Sequence, residues 1–191
     1  MEFMRSVIRN IIEGISPYDS LEKEHIENTL NWIDSSEEIF RIQKPDIPPK
    51  HLVSYFVLYD PEQRKVLLFD HIKAELWLPS GGHIEKDEHP KMAVEREALE
   101  ELNIKAEFLS GLPFFITQTV TVGKTAGHTD VSLWYVLQGN STELIEYEKE
   151  EFNGYKWFSV DEILNEERKM FDPYMQRFTK KLLESEFINR F

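Results

Sequence analysis

The segment HLVSYFVLYD, residues 51–60, carries apolar side chains on both of its alternating faces. Leu52, Phe56 and Leu58 fall on one side; Val53, Tyr55, Val57 and Tyr59 fall on the other. A strand of this kind has no face to give to water. It belongs in the middle of a sheet, with further layers above and below. DPEQR then supplies a turn and KVLLFDH returns as a second strand. Further along, ITQTVTV sets Ile116, Val120 and Val122 against Thr117, Thr119 and Thr121, DVSLWYVLQ is again heavily apolar, and YKWFSV reads as a short strand. Helical spacing occupies residues 89–102, and Tyr174, Phe178, Leu182 and Phe187 mark a closing amphipathic helix over 173–190. Mixed strands with helices on either side predict an α/β (α+β) fold, an α/β/α sandwich.

Before this unit, Met4, Val7, Ile8, Ile11 and Ile12 repeat at helical spacing. A second helix is expected from Asp19–Ser20 to about Asp34, opened by a capping box of Asp19 and Glu22, with Leu21, Ile26, Leu30 and Ile33 as its apolar positions. Ser159 and Glu162 offer a similar cap for a brief helix. QKPDIPPKH, with Pro45, Pro48 and Pro49, cannot continue a helix and reads as a linker. The expected organisation is therefore a helical N-terminal extension over 1–46 and a main domain over 47–191. Three roles are open to the extension: capping a substrate cleft, a homodimer contact, or simple packing on the sandwich.

Composition narrows the partners. Lys and Arg total 22 against 35 Asp and Glu, a formal charge of −13. Such a surface repels polymeric nucleic acid and anionic membranes, and no run of Lys or Arg offsets it. A small phosphorylated substrate bridged by metal is compatible with it. The chain has no cysteine, which removes disulfides, thiolate metal sites and cysteine nucleophiles together. No apolar run approaches the ~18 residues of a spanning helix. Arg5, Arg9 and Glu13 interrupt any signal-peptide core near the start, so a cytoplasmic location is expected.

The stretch GHIEKDEHPKMAVEREALEELNI, residues 82–104, carries the chemistry. On a helix, Glu97, Glu100 and Glu101 project from one face, with Val94, Ala98, Leu99 and Leu102 opposite to anchor it. Like charges at these spacings repel by roughly 0.2–0.5 kcal/mol per pair, and a divalent cation bound between them removes the repulsion. Magnesium favours such carboxylate oxygens and keeps positions open for substrate phosphates. Gly81–Gly82 permits close backbone approach and offers the Gly81 carbonyl as a further ligand. Pro90 suits a first helical turn, and Glu88 lies near the favourable helix N-terminus. A bare glutamate-rich helix is more often a solvated face with Arg96 as a surface pair. The paired glycines and the spacing to Glu88 weigh against that reading here.

In this register the segment resembles the Nudix box of the Nudix (MutT-like) hydrolases, at Gly82, Glu88, Arg96, Glu97, Glu100, Glu101 and Ile104. LWLPSGGHIE resembles the strand and loop that lead into the box, and strand order extends the likeness over about 51–170. Asn103 stands where the box has its last glycine, and Ala98 where it has a bulkier aliphatic residue. Asn is the next best residue for a left-handed helix end. Ala98 requires a neighbour such as Leu99, or an aromatic from the sheet, to fill space.

The resemblance implies magnesium-dependent attack of water on a diphosphate linkage in a nucleoside diphosphate derivative, with manganese as the alternative ion. Glu97, Glu100 and Glu101 are the implied metal ligands, with the Gly81 carbonyl; Arg96 orients Glu97; Gly82 and Glu88 support the loop. Family members often draw a general base from a later loop, where Glu151 is the first choice and Glu150 the second; Glu97 is the alternative. His83 is the implied phosphate contact, whereas His128 and Asp130 fit structural hydrogen bonding at least as well. Trp77, Phe114, Phe115 and Trp134 are candidates for stacking on a base, although strand aromatics are more often core. Pro113 comes too early for the ADP-ribose subgroup. Residues 119–123, TVTVG, lack the tyrosine of the dinucleoside polyphosphate subgroup. The longer signatures for NADH and coenzyme A hydrolysis are also missing. A nucleoside triphosphate pyrophosphohydrolase, or an unassigned member, is the residual class. The rival is a catalytically silent Nudix-fold module that binds a nucleotide as a sensor, and the retained glutamates argue against it.

Overall fold

Strand β1 (Lys50–Asp60) runs through the centre of the sheet, and all of His51 to Asp60 except Tyr55 is buried. The computed structural model describes residues 2–122, 124, 127–166 and 170–185. One edge of β1 pairs in parallel with β6 (Thr129–Gln138), from Lys50 opposite Thr129 to Tyr59 opposite Gln138. Its other edge is shared. Val53 to Phe56 pair antiparallel with β4 (Ser80–His83), and Tyr59 and Asp60 pair with the start of β2 (Lys65–His71). From β2 the sheet continues to β3 (Leu76–Leu78) and β7 (Phe152–Ser159), and β5 (Phe115–Val120) lies beside β6 at the far edge. Seven strands thus form one mixed sheet.

The alternation along β1 separates two cores. Leu52, Phe56 and Leu58 join Leu133 and Tyr135 beneath helix α3 (Pro90–Leu102), which contributes Ala93, Val94, Ala98 and Leu102. On the opposite face Val57 and Tyr59 join Trp134 and Phe115, covered by α4 (Val160–Asn165) and α5 (Met175–Leu183) through Ile163, Met175, Phe178 and Leu182. Trp134 is fully buried, stacks on Phe178 at 5.3 Å, and donates its indole N–H to Thr117 at 3.0 Å. Trp134 and Phe115 are therefore core residues. Helices α1 (Glu2–Glu13) and α2 (Ser20–Asp34) do not stand apart, because Ile8, Ile12, Ile26, Trp32 and Ile33 belong to the same core as Leu52 and Phe56.

Several local details differ from expectation. The Asp19 carboxylate caps α2 by accepting from Glu22 N, but Glu22 accepts from Tyr18 N and so leaves the box open. Leu21 is exposed, and α2 turns Glu22, His25, Thr29 and Trp32 inward instead. Leu99 is 60% exposed and fills no space beside Ala98. Small residues at Ala93 and Ala98 let α3 lie close to the sheet without it. Gly81 and Gly82 lie within the short strand β4. β7 begins at Phe152, because its first residues pair with the end of β2. As expected, Ser159 and Glu162 close a reciprocal capping box on α4. The closing helix ends at Leu183, and Phe187 lies outside the described residues. Among the described residues, no helix is long and apolar enough to cross a membrane.

Candidate active site

Gly82 lets α3 press Glu97 onto β4, and Gly81 lets β4 lie close against β1. A Cβ on Gly82 would lie 2.1 Å from Glu97 Oε1, and one on Gly81 would lie 2.2 Å from the Ser54 carbonyl oxygen. Gly81 also has φ +148°, a conformation that side chains rarely adopt. Gly82→Ala must therefore displace the Glu97 carboxylate. Turnover is expected to fall about 10²-fold, the size of effect that a misplacement near 1 Å produces, with a much smaller change in melting temperature. Kinetics of the purified variant check this, and wild-type turnover would show that the close approach is dispensable.

The helix opens and closes as its sequence requires. His89 Nδ1 caps it by accepting from Lys91 N, with Pro90 following in the first turn. At the far end Asn103 adopts the left-handed conformation, φ 51° and ψ 34°, so its replacement of glycine is accommodated. Between them Arg96 organises the acids. Its guanidinium donates to both Glu88 oxygens at 3.0 Å, to Glu97 Oε1 at 2.6 Å and to the His83 carbonyl at 3.1 Å, and lies 3.4 Å from Glu100. Glu88 also accepts from Glu85 N and ties down the loop before the helix.

Glu97, Glu100, Glu101 and Glu151 line a single open cleft of about 1460 Å³ together with Gly81, Gly82 and Arg96. Glu101 is buried and accepts a hydrogen bond from the Ser80 hydroxyl. Burial pushes its carboxyl up to about 8, with the Glu151 and Glu97 charges adding to the shift. Burial also raises Glu97, against the opposing pull of Arg96. Glu151 moves the other way. The His71 imidazole, 3.4 Å away, holds it below the usual carboxylate range. His71 Nδ1 accepts from Lys73 N and Ala74 N, which leaves the proton on the Nε2 that faces Glu151. Glu150 is exposed and does not line the cleft.

Positive charge reaches the cleft from positions scattered through the chain: Arg41, Lys44, Lys73, Lys86 and Lys124. No run of basic residues signals them, and only folding brings them together. The proline-rich segment expected as a linker forms a wall here through Lys44, Pro45 and Asp46. His83 lines the cleft too, but its Nε2 is buried without a hydrogen-bond partner and its ring lies 4.7 Å from that of His51. Burial and nearby positive charge lower this imidazole to about 3.

Asp172 also lines the cleft, buried, with its carboxylate accepting from Tyr174 N at 2.7 Å. Burial pushes its carboxyl up to about 7, reinforced by Asp130. The folded state thus holds a proton that the unfolded chain releases near pH 4, so stability falls as pH rises from about 4 to about 7. Asp172→Asn keeps the acceptor and removes the charge. It should be more stable than wild type at pH 8, by up to about 4 kcal/mol, and match it near pH 4. Melting curves at the two pH values check this; equal gains at both would contradict it.

Carboxylates gathered on one helix at the floor of a cation-edged cleft are what a hydrolase of phosphate anhydrides requires. A family model described as the NUDIX domain matches residues 49–182, and the chain belongs to that family. It is an enzyme of this kind, acting on phosphorus-containing acid anhydrides. Among solved structures, a NUDIX-family hydrolase from Clostridium perfringens is similar at 23% identity and TM-score 0.55, over 70% of this chain and 97% of that one. The E. coli dihydroneopterin triphosphate pyrophosphohydrolase is similar at 14% identity and TM-score 0.55, over 78% of this chain and 100% of that one. An Ap4A hydrolase from C. elegans gives 17% identity and TM-score 0.52, over 73% of this chain and 99% of that one. At these identities the likeness is one of fold. A comparison with curated proteins gives no significant match.

Proposed function

We propose that this enzyme cleaves a diphosphate linkage in a nucleoside diphosphate derivative with magnesium, or alternatively manganese, as cofactor. A nucleoside triphosphate split into monophosphate and pyrophosphate is the leading substrate. The observation that carries this reading is the meeting of Glu97, Glu100, Glu101 and Glu151 in one cleft, where burial and neighbouring carboxylates raise Glu97 and Glu101. An all-oxygen donor set with so little cationic compensation at Glu101 fits a hard divalent ion.

Glu97, Glu100 and Glu101, with the Gly81 carbonyl, would hold that ion, which neutralises phosphate oxygens and favours attack by water. The remaining work falls to the chain. Arg96 fixes the Glu97 carboxylate by a charge-assisted bond. Glu88 holds Arg96 and the preceding loop. Glu151, kept ionised by His71, accepts the proton of the attacking water as the oxygen–phosphorus bond forms and the anhydride bond breaks. The proton then passes to solvent. Exposed Glu150 is not assigned this role. Lysines 73, 86 and 124 offset phosphate charge at the rim. A reducing cytoplasm suits a chain without cysteine.

The test is a panel of nucleoside triphosphates, dihydroneopterin triphosphate, Ap4A and nucleotide sugars, with magnesium and product identification. Pyrophosphate release from a nucleoside triphosphate supports the reading. Tight binding across the panel without turnover in either metal contradicts it.

A further inference from the structure

The fold assembles a second ligand set beside the glutamates. His51 opens β1, His83 ends β4, His128 precedes β6, and Asp46 comes from the proline-rich segment. One ligand atom from each of the four lies within 4.8 Å of the others. We propose that Asp46, His51, His83 and His128 form a site for a zinc-class transition metal, separate from the cation site of α3.

The His51 side chain is fully buried. Its Nδ1 lies 2.8 Å from the Pro48 carbonyl, which can only accept, so Nδ1 carries the proton. That leaves Nε2 as a buried lone pair without a hydrogen-bond partner. Asp130 Oδ1, equally unpartnered, lies 3.3 Å from this Nε2 and 3.3 Å from His128 Nε2. A neutral imidazole lone pair and a carboxylate oxygen facing one another in a buried space are costly unless a cation, a metal ion or a shared proton, sits among them. His83 contributes a further buried, unpartnered Nε2. A backbone carbonyl fixing one ring nitrogen while the other stays free is how metal-bound histidines are oriented.

Donor chemistry separates the two sites. Imidazoles with one carboxylate suit zinc, whereas the all-oxygen set on α3 suits magnesium. Tetrahedral zinc needs donors ~3.3–3.5 Å apart, so the present spread closes by small side-chain rotations. Occupancy would pin the proline-rich wall of the cleft, through Asp46, to three points on the sheet.

The full-length protein, stripped with a chelator and dialysed into excess magnesium, is titrated with Zn²⁺ by calorimetry, with Co²⁺ as a spectroscopic probe. We expect a single equivalent of zinc, the intense visible bands of tetrahedral cobalt and a raised melting temperature. His83→Gln, His128→Gln and the milder Asp46→Asn, at a partly exposed residue, should each weaken zinc on the order of a hundredfold. Glu100→Gln should bind zinc as wild type does. Should a histidine variant fail to fold, Asp46→Asn decides. Wild type that takes up no zinc over magnesium overturns the proposal. So does zinc binding that Glu100→Gln removes and Asp46→Asn spares, or an octahedral cobalt spectrum.

Discussion

Glu101→Gln should lower turnover by at least about 10²–10³-fold and yet melt no lower than wild type in metal-free buffer. The two halves of this expectation have one cause. Glu101 is buried, with the Ser80 hydroxyl as its neutral partner, and two further carboxylates act on it. Its folded pKa, about 8, lies above its unfolded value, so without a cation the folded state loses stability as pH rises through that interval. Glutamine removes that cost. It keeps an oxygen for Ser80 but cannot supply the charge that a divalent ion and a phosphoanhydride require. The advantage of the variant should therefore grow between pH 5 and pH 8, and added magnesium should raise the melting temperature of wild type alone. Glu97→Gln should lose activity similarly. Glu151→Gln should lose about 10²-fold, the usual worth of a general base. Near-wild-type turnover in Glu101→Gln would remove the glutamate cluster from the mechanism.

Much of this site was legible in the sequence because its parts lie within one helix and the turn before it. Glu88, Arg96, Glu97 and Glu101 need only helical periodicity and a close glycine strand to meet, and both are written locally. The layered fold was legible for a similar reason, since two apolar faces on β1 require two covers. Other features depend on pairings that no local pattern encodes. His51, His83 and His128 become neighbours through the parallel register of β1 with β6 and the antiparallel register of β1 with β4. The cations of the cleft come from separate loops and carry no collective signal. Leu21 and Leu99 satisfy helical periodicity and still face water, because periodicity marks a stripe and tertiary packing chooses its centre.

The same distinction underlies the largest expected effect on stability. Glu22 is fully buried in α2, where charge is unexpected, and three elements meet at its carboxylate. It accepts from Tyr18 N at 2.7 Å, from Ile116 N of β5 at 3.3 Å and from Lys181 Nζ of α5 at 2.8 Å. Lys181 also donates to the Ser16 carbonyl at 2.7 Å. Burial raises the Glu22 carboxyl and lowers the Lys181 ammonium, so each is pressed toward neutrality and only the other keeps it charged. Lys181→Met should therefore cost about 3–5 kcal/mol, because it strands a buried carboxylate. For a chain of this length that corresponds to a melting point lowered by roughly 10 °C. The deficit should shrink at acidic pH, where Glu22 binds a proton in the folded variant. Glu22→Gln added to Lys181→Met should restore much of the loss, since glutamine carries no charge and its one oxygen can still accept from Tyr18 N. A double-mutant cycle in thermal melts reads the coupling directly. A negligible coupling would mean that the Glu22–Lys181 pair does not hold the N-terminal helices in place. A strong one makes the Glu22–Lys181 pair, with Asp19 and Arg177 beside it, the clasp joining α2 to α5 across the edge of the sheet.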